Sequence, residues 1–343
     1  MDQLVKTFVI HPDDLIRMFW FAIASFVIAI IWTPVLTNLL YKYKIGKRNR
    51  SATDAPIYAK LHAKKEGTPT MGGLLIWITV AVLTILFNLV RQATWLPVFC
   101  LVATGIVGAI DDYMNVRGFG EKGGGMSLKQ KFPLYAIIAA IGSWWFYSKL
   151  GWNSIHIPAM GDYIIGFWYV PLFIVTLVWL AFASNETDGL DGLAGGIFAM
   201  AYGAFAIIAV TEGKVELAVF CATVMGALMA FLWFNIPPAR FFMGDTGSMA
   251  LGMTLGVIAF LTNSVLALIL ITLVFHVEGL SFVVQYLSKK FRGGKKIFLS
   301  SPLHHHLEAI GWPEYKITMR FWIIGAVSAV AGLAVAIIGR GVH

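Results

Sequence analysis

Long apolar runs separated by short polar connections extend through the whole chain. Each run is about 15 to 25 residues long, enough for a helix that crosses a bilayer, and lipid offers the backbone no hydrogen-bond partners outside a helix. Strands of an outer-membrane barrel would instead alternate apolar and polar residues. The pattern therefore predicts an all-α integral membrane protein with a single polytopic domain over residues 1–343. About ten spans are predicted, at residues 16–40, 71–90, 95–110, 133–147, 164–183, 193–210, 215–234, 248–261, 264–287 and 319–338.

The composition agrees with this prediction. Of the 343 residues, 58% are hydrophobic and 13% are charged, and the mean hydropathy is +0.76. Soluble domains carry about 25% charged residues, so the composition excludes an ordinary soluble protein. Cys100 and Cys221 both fall in apolar runs, where buried inert thiols are expected rather than a disulfide or a metal site.

Lysine and arginine residues are concentrated in alternate connections. The connections 41–70, 111–132 and 288–318 carry most of them, whereas the opposite connections and the two termini carry few. Basic loops stay on the cytoplasmic side of a membrane. These three connections are therefore predicted to be cytoplasmic and both termini extracytoplasmic, and the same asymmetry accounts for the formal net charge of +8.

Four acid- or histidine-rich clusters interrupt the apolar pattern, and each follows an odd-numbered span. All four are therefore predicted to face the cytoplasm. Carboxylates and imidazoles gathered at one membrane face indicate a metal-assisted active site rather than a pore. The clusters are Asp111-Asp112, the segments 185–191 and 244–248, and His304-His305-His306.

The first two clusters each allow a structural alternative. Asp111-Asp112 is expected near the reacting groups, although a lone pair of acids at a helix end can simply face water. Asp188 and Asp191 would share a helix face if a helix has begun there. The glycines of 189–196 would let the backbone approach a ligand closely, or would serve tight helix packing.

The other two clusters favour phosphate chemistry. Asp245 precedes a predicted span, so it is either a metal ligand or a helix N-cap, and Phe242 could stack on a base. The histidine triplet is expected to contact phosphate rather than zinc, because no compact set of nitrogen or sulfur ligands accompanies it. Carboxylates would repel a phosphorylated substrate unless a divalent cation lay between them. Mg²⁺ is therefore predicted, because it binds one or two carboxylates together with substrate phosphates.

His276 and Glu278 lie inside the ninth predicted span. Ionisable residues within a membrane are functional candidates, so this pair keeps a secondary transporter open as an alternative. A buried, hydrogen-bonded structural role is favoured, because no other span carries a matching charge. Transport would also place coupling groups near the bilayer midplane, whereas the acids of this chain concentrate at one interface.

Five motifs carry a family resemblance that extends over nearly the whole chain. They are GTPTMGG (67–73), GAIDDY (108–113), TDGLDGLAGG (187–196), FLWFNIPPARFFMGDTGSMALG (231–252) and SPLHHHLEAIGWPE (301–314). In this order they resemble the phospho-N-acetylmuramoyl-pentapeptide transferases (MraY), within the polyprenyl-phosphate N-acetylhexosamine-1-phosphate transferase superfamily. The resemblance implies ten transmembrane helices in the bacterial inner (plasma) membrane, extracytoplasmic termini and a homodimer.

The resemblance also implies the reaction and its partners. Phospho-MurNAc-pentapeptide would move from UDP-MurNAc-pentapeptide to undecaprenyl phosphate, giving lipid I and UMP, with Mg²⁺ required and no nucleic acid involved. It leaves open a direct attack by the lipid phosphate or a two-step route through an aspartyl intermediate. The rival in the same superfamily is a polyprenyl-phosphate GlcNAc-1-phosphate transferase, against which the histidine triplet and Glu308 weigh.

Carried over residue by residue, the resemblance assigns Asp245 as the metal ligand and Asp111 as the group that deprotonates or orients the lipid phosphate. Phe242 would stack on uracil in a nucleoside pocket shaped by the segment 185–191. The implied catalytic residues are Asp111, Asp112, Asp245, His304 and His305. The implied substrate-binding residues are Lys65, Lys131, Asn185, Asp188, Gly189, Leu190, Asp191, Asn235, Phe242, Ser248 and His306.

This chain departs from the family pattern at two places. Glu186 replaces the usual Leu, which adds an acid beside the expected nucleotide site. In the first cytoplasmic loop, Asp54-Ala55-Pro56 stands where the family has Asp-Gly-Pro, with three extra residues before His62. From His62 onward the spacing to Lys65 and Gly67 matches the family again.

Overall fold

Helices occupy all ten predicted runs in the computed structural model, which describes residues 11–46, 65, 67–120 and 124–340. The first loop's departure at residues 54–62 lies outside these described residues. The helices are α1 (Pro12–Lys42), α2 (Gly73–Phe87), α3 (Trp95–Arg117), α4 (Leu128–Trp144), α5 (Tyr169–Thr187), α6 (Leu193–Thr211), α7 (Val215–Asn235), α8 (Asp245–Leu261), α9 (Val265–Ile271), α10 (Leu273–Phe291), α11 (Leu303–Ala309) and α12 (Glu314–Ile338).

The apolar helices support a helical membrane protein. Six helical stretches are long and apolar enough to cross a bilayer, and the bent pair α9–α10 makes a seventh if it counts as one span. Helices α2 and α8 are apolar but shorter, and α4 has 17 residues. Among the described residues, the structure thus supports six or seven of the ten predicted spans by length and composition. The six are α1, α3, the stretch Gly166–Thr187, α6, α7 and α12.

A small hairpin corrects the expectation that the fold is entirely helical. Strand β1 (Ser154–Ile157) pairs antiparallel with β2 (Gly161–Ile164), with Ser154 opposite Ile164. Isoleucines at 155 and 157 suit a strand, and a short turn follows them. A search for long apolar runs does not detect strands of four residues, so the sequence analysis missed this element.

The ninth predicted span is broken at Thr272, where α9 and α10 meet at an angle of 79°. The Thr272 hydroxyl donates to the Leu268 carbonyl at 2.6 Å and also lies 3.0 Å from His276 Nε2. A threonine that hydrogen-bonds back to the preceding turn favours a bend in a helix. Beyond the bend, α10 reaches the histidine segment, because Ser281 Oγ accepts the Leu303 N–H at 2.9 Å.

Helix α8 is the centre of the bundle, and every residue from Thr246 to Leu261 is buried. It packs against α3 and α5, while α6 packs against α7 and α1 covers the outer side of α7. The outer helices α1 and α12 expose apolar side chains such as Trp20, Ile31 and Val327. An apolar surface of this kind suits contact with lipid.

Candidate active site at the first turn of helix α8

Asp111 and Asp112 lie inside helix α3, which continues to Arg117. Both residues are buried, with 3% and 7% of their surface exposed. The predicted boundary at residue 110 was therefore wrong by nearly two turns, and the alternative of a solvated helix end is also wrong. The first turn of α8 supplies the partners of the Asp112 carboxylate, whereas Lys131 and the Met126 N–H bind that of Asp111.

Asp112, which lies on helix α3, caps the N-terminus of α8. Its carboxylate accepts the backbone N–H of Thr246 at 3.0 Å and that of Asp245 at 3.3 Å. The first N–H groups of a helix have no partner within the helix, so Asp112 stabilises this end of α8. Gly108 allows the approach, because a Cβ there would lie 2.4 Å from the Asp245 carbonyl oxygen.

Lys131 joins Asp111 to Asp245. Its Nζ lies 2.7 Å from Asp111 Oδ2 and 2.5 Å from Asp245 Oδ2. The other Asp111 oxygen accepts the Met126 N–H at 2.6 Å, so the loop before α4 also contacts this carboxylate. Asp111 and Asp245 thus share one ammonium, and with Asp112 at the same turn these four side chains carry a formal charge of −2.

A short chain of polar groups orients Asp245. Asn185 Nδ2 donates to Asp245 Oδ1 at 2.7 Å and to Ser248 Oγ at 3.0 Å. Ser248 Oγ in turn donates to the Gly244 carbonyl at 2.9 Å. Gly244 occupies the N-cap position of α8, and Asp245 is the first residue within the helix. The structural alternative of an N-cap is therefore wrong for Asp245, and Asp112 has that role.

The segment 188–192 is a turn between α5 and α6. Asp188 and Asp191 therefore do not share a helix face. Asp188 accepts the Gly244 N–H at 3.1 Å. Asp191 instead accepts the Ala239 N–H at 3.0 Å and lies 2.7 Å from Lys65 Nζ. The two acids therefore hold different parts of the loop before α8.

Close packing explains the glycines of this segment. A Cβ on Gly189 would lie 2.1 Å from His304 Nε2, and one on Gly196 would lie 2.1 Å from Trp322 Nε1. The close approach at these positions is therefore to protein side chains, which favours the packing alternative. Leu190 is 4% exposed and belongs to the hydrophobic core.

The segment 69–72 pairs with the loop that carries Phe242. The Phe242 N–H donates to the Pro69 carbonyl and the Gly72 N–H to the Phe242 carbonyl, both at 2.8 Å. Lys65 Nζ lies 5.9 Å from the centroid of the Phe242 ring. Asn235 supports the same loop, because its amide donates to the Phe241 carbonyl and accepts the Gly192 N–H, both at 2.9 Å.

Two histidines of the triplet are each held by a glutamate. His304 Nδ1 lies 3.0 Å from Glu278 Oε2, and His305 Nδ1 lies 2.7 Å from Glu308 Oε2. Burial of His304 lowers its pKa, but the charges of Glu278, Glu308 and Glu186 outweigh this effect. The pKa of His304 therefore lies above its ordinary value.

The third histidine is bound differently. His306 Nδ1 accepts the Leu299 N–H at 3.2 Å, and its ring lies 5.5 Å from that of Phe298. His276 within the bent span contacts Trp179 Nε1 at 2.8 Å and Thr272. The favoured structural role of His276 thus agrees with its contacts, whereas Glu278 reaches the histidine triplet.

The structure adds three residues to the site: sequence analysis named Glu278 as a candidate without assigning its partner, and it missed Glu314 and Tyr135. Glu278 binds His304, and Glu314 contacts both Lys65 and Asp191. Tyr135 is 1% exposed, and no partner for its hydroxyl is seen in the part of the chain that the structure describes. Its four-residue spacing from Lys131 puts both on one face of α4, which is the signal that could have identified it.

Hard oxygen donors are present for Mg²⁺. Within the described ranges, no group of three or more His, Cys, Asp or Glu side chains forms a ready metal site. However, oxygens of Asp111 and Asp245 converge on one positive charge, the ammonium of Lys131. Since Mg²⁺ needs only one or two carboxylates when phosphates and water complete its shell, these residues fit a magnesium ion.

Comparisons with known proteins identify the family. The model of glycosyl transferase family 4 matches residues 94–263, and a phospho-N-acetylmuramoyl-pentapeptide-transferase signature matches residues 65–76. The phospho-N-acetylmuramoyl-pentapeptide-transferase of Chloroflexus aurantiacus is 39% identical over 339 residues, covering 95% of this chain and 91% of the relative. Those of a Geobacillus species (39% identical; 91% and 95% covered) and of Levilactobacillus brevis (37%; 91% and 96%) are similarly close.

Proposed function

Because the chain belongs to the phospho-N-acetylmuramoyl-pentapeptide transferase family and is therefore a membrane transferase of peptidoglycan synthesis, we propose its detailed reaction as follows. It transfers phospho-MurNAc-pentapeptide from UDP-MurNAc-pentapeptide to undecaprenyl phosphate. An oxygen of the lipid phosphate bonds to the β-phosphorus, the diphosphate bridge breaks, and lipid I and UMP are the products. The reaction depends on Mg²⁺.

The observation that carries this proposal is the charge at the first turn of α8. Three carboxylates and one ammonium meet there, beside the turn 188–192 and the Phe242 loop. A diphosphate brought to this surplus of negative charge would be repelled without a divalent cation. Asp245 would hold Mg²⁺, with Asp111 close by. When bound, Mg²⁺ would neutralise phosphate charge and act as a Lewis acid.

The remaining groups at this turn position the two phosphates. Asp111 would orient or deprotonate the lipid phosphate, and its contact with Lys131 keeps the carboxylate directed toward Asp245. Lys131 would offset phosphate charge once substrate competes for its ammonium. His304 and His305 would contact the donor's phosphates or sugar, and the raised pKa of His304 favours the protonated ring that can donate to phosphate.

The nucleoside would bind on the side of Phe242 and the turn 188–192. Phe242 is partly exposed, and the backbone bonds to residues 69 and 72 fix its loop. In this position its ring would stack on uracil. Asn185 and Asn235 support the pocket through their amide contacts with Ser248 and Gly192.

The finer membrane arrangement also belongs to this proposal. We infer ten spans, extracytoplasmic termini, a cytoplasmic active site, an inner-membrane location and a homodimer. The alternation of basic connections supports the orientation, and a helix at each of the ten apolar runs supports the count. The homodimer rests on the family resemblance.

Release of UMP by the purified protein tests the reaction. UDP-MurNAc-pentapeptide and UDP-GlcNAc would be supplied in parallel with undecaprenyl phosphate and Mg²⁺, with EDTA as the control. We expect turnover with the pentapeptide donor alone, lost in EDTA and restored by added Mg²⁺. Turnover with UDP-GlcNAc alone would instead indicate the GlcNAc-1-phosphate transferase, and turnover that persists in EDTA would overturn the metal assignment.

A further inference from the structure

Helix α12 contacts the turn 188–192 through three side chains at four-residue spacing. We propose that Glu314, Thr318 and Trp322 form a clasp that positions this turn for the nucleotide donor, with Glu314 as a positioning residue for Asp191 and Lys65. The proposal rests on the proposed function, because it takes this turn as the nucleoside pocket. Residues four apart lie on one face of a helix, so the three side chains form a single row.

The three members of the clasp together bind the backbone of Asp191 and Gly192. Glu314 Oε1 accepts the Asp191 N–H at 2.7 Å, and the Thr318 hydroxyl donates to the Asp191 carbonyl at 3.2 Å. Trp322 Nε1 donates to the Gly192 carbonyl at 3.1 Å. Both backbone groups of Asp191 are thus bound to α12, so the position of the turn follows the position of this helix.

Glu314 also completes a charged triad with Lys65 and Asp191. Lys65 Nζ contacts Glu314 Oε1 and lies 2.7 Å from Asp191 Oδ1. The side chain of Asp191 is 3% exposed, that of Glu314 20% and that of Lys65 23%. Burial lowers the pKa of Lys65, but Glu314 and Asp191 together outweigh this effect and raise it, so the ammonium stays charged.

The triad holds Lys65 beside the ring expected to stack on the base. With its ammonium between two carboxylates, Lys65 lies 5.9 Å from the Phe242 centroid. Without Glu314, the lysine would retain one carboxylate and gain freedom to leave this position. A base stacked on Phe242 would then lose a fixed neighbouring charge.

The clasp also links the nucleoside side of the site to the histidines. Helix α11 ends at Ala309 and α12 begins at Glu314, so four residues separate the histidine helix from the clasp. His304 abuts Gly189 at the start of the same turn. Both α12 and His304 therefore contact this turn, so the clasp and the histidine helix together fix its position.

Donor kinetics test the clasp. Glu314→Gln removes the charge and keeps an acceptor for the Asp191 N–H, Thr318→Val removes a hydroxyl, and Trp322→Phe removes only the indole donor. Hydrogen bonds to charged groups are the stronger ones. For Glu314→Gln we therefore expect the donor KM to rise about tenfold or more, with kcat and the KM for undecaprenyl phosphate unchanged. Thr318→Val and Trp322→Phe should raise the donor KM by smaller factors. Met319→Leu, at an exposed position of the same helix, is the matched control.

A binding measurement separates this inference from the proposed function. The dissociation constant of UMP, measured by calorimetry on the purified protein, requires no turnover and should rise with the donor KM. Glu314→Gln should have a much smaller effect in a Lys65→Met background, because the ion pair is already lost. Absence of turnover in the unsubstituted enzyme would contradict the proposed function itself. An active enzyme in which all three clasp variants keep the normal donor KM and UMP affinity would overturn the clasp. If Glu314→Gln fails to fold, the other two variants decide the question.

Discussion

Charged side chains surround both ends of helix α8. At its first turn, the Asp112 carboxylate accepts the N–H groups of Asp245 and Thr246. At its far end, Lys214 donates to the Leu261 carbonyl at 2.6 Å and Arg340 donates to the Thr262 carbonyl. Acids at the N-terminus and cations at the C-terminus both complement the helix dipole. This rule accounts for Asp112 at the first turn and for Lys214 and Arg340 at the far end.

The two ends of α8 differ in the net charge of the side chains around them. At the far end, Glu212 contacts both Lys214 and Arg340, so two cations face one carboxylate that binds them. At the first turn, Asp111 and Asp245 share Lys131 in addition to the capping acid. Helix capping requires Asp112 alone. Asp111 and Asp245 are not needed for capping. These two additional carboxylates distinguish a site that binds cations and phosphates from a purely structural cluster of charges.

The largest loss of turnover is expected when one of the two additional acids, Asp111 and Asp245, is substituted. Asp245→Asn removes the charge that would hold Mg²⁺ but leaves the α8 cap intact, because Asp112 provides it. We expect UMP release to fall at least about 100-fold while the free energy of unfolding changes little. Near-normal Mg²⁺-dependent turnover in this variant would show that the metal assignment is wrong.

The histidine side of the site gives the next effect. Glu278 is the main charge that raises the pKa of His304, so Glu278→Gln should lower that pKa. Because the raised pKa keeps the ring protonated, its contribution is present at low pH and is lost as pH rises through the folded-state value. We therefore expect the alkaline limb of the kcat/KM profile to move to lower pH. Glu278→Asp, which keeps the charge, is the control, and an unchanged limb in Glu278→Gln would contradict the role of this pair.

A substitution at the C-terminal end of α8 should change the stability of the protein but not its activity. Glu212→Gln leaves Lys214 and Arg340 facing each other without a carboxylate. We expect the free energy of unfolding to fall by about 1–3 kcal/mol, with UMP release by the remaining folded enzyme unchanged. A loss of turnover per folded molecule as large as that in Asp245→Asn would remove the distinction between the two ends of α8.

Much of the fold could be predicted because lipid imposes a simple rule. A run of apolar residues long enough to cross the membrane has only a helix available, and all ten predicted runs contain one. Short or bent elements follow other rules. The hairpin at 154–164 is too short for a search by apolar runs, and the 79° bend depends on how Thr272 binds the preceding turn.

The types and grouping of the site residues were determined by the sequence alone. Acids, asparagines and histidines that interrupt apolar runs on one predicted face indicate one polar site, and the structure brings Asp111, Asp112, Asn185 and Asp245 together. Only the tertiary structure decided how these residues divide their roles. Asp112 caps α8, Lys131 joins two carboxylates, Glu278 holds His304, and Glu314 reaches Asp191 from a helix 123 residues further along the chain. Local pattern specifies which groups are available, whereas contacts between distant helices depend on packing that no local pattern encodes.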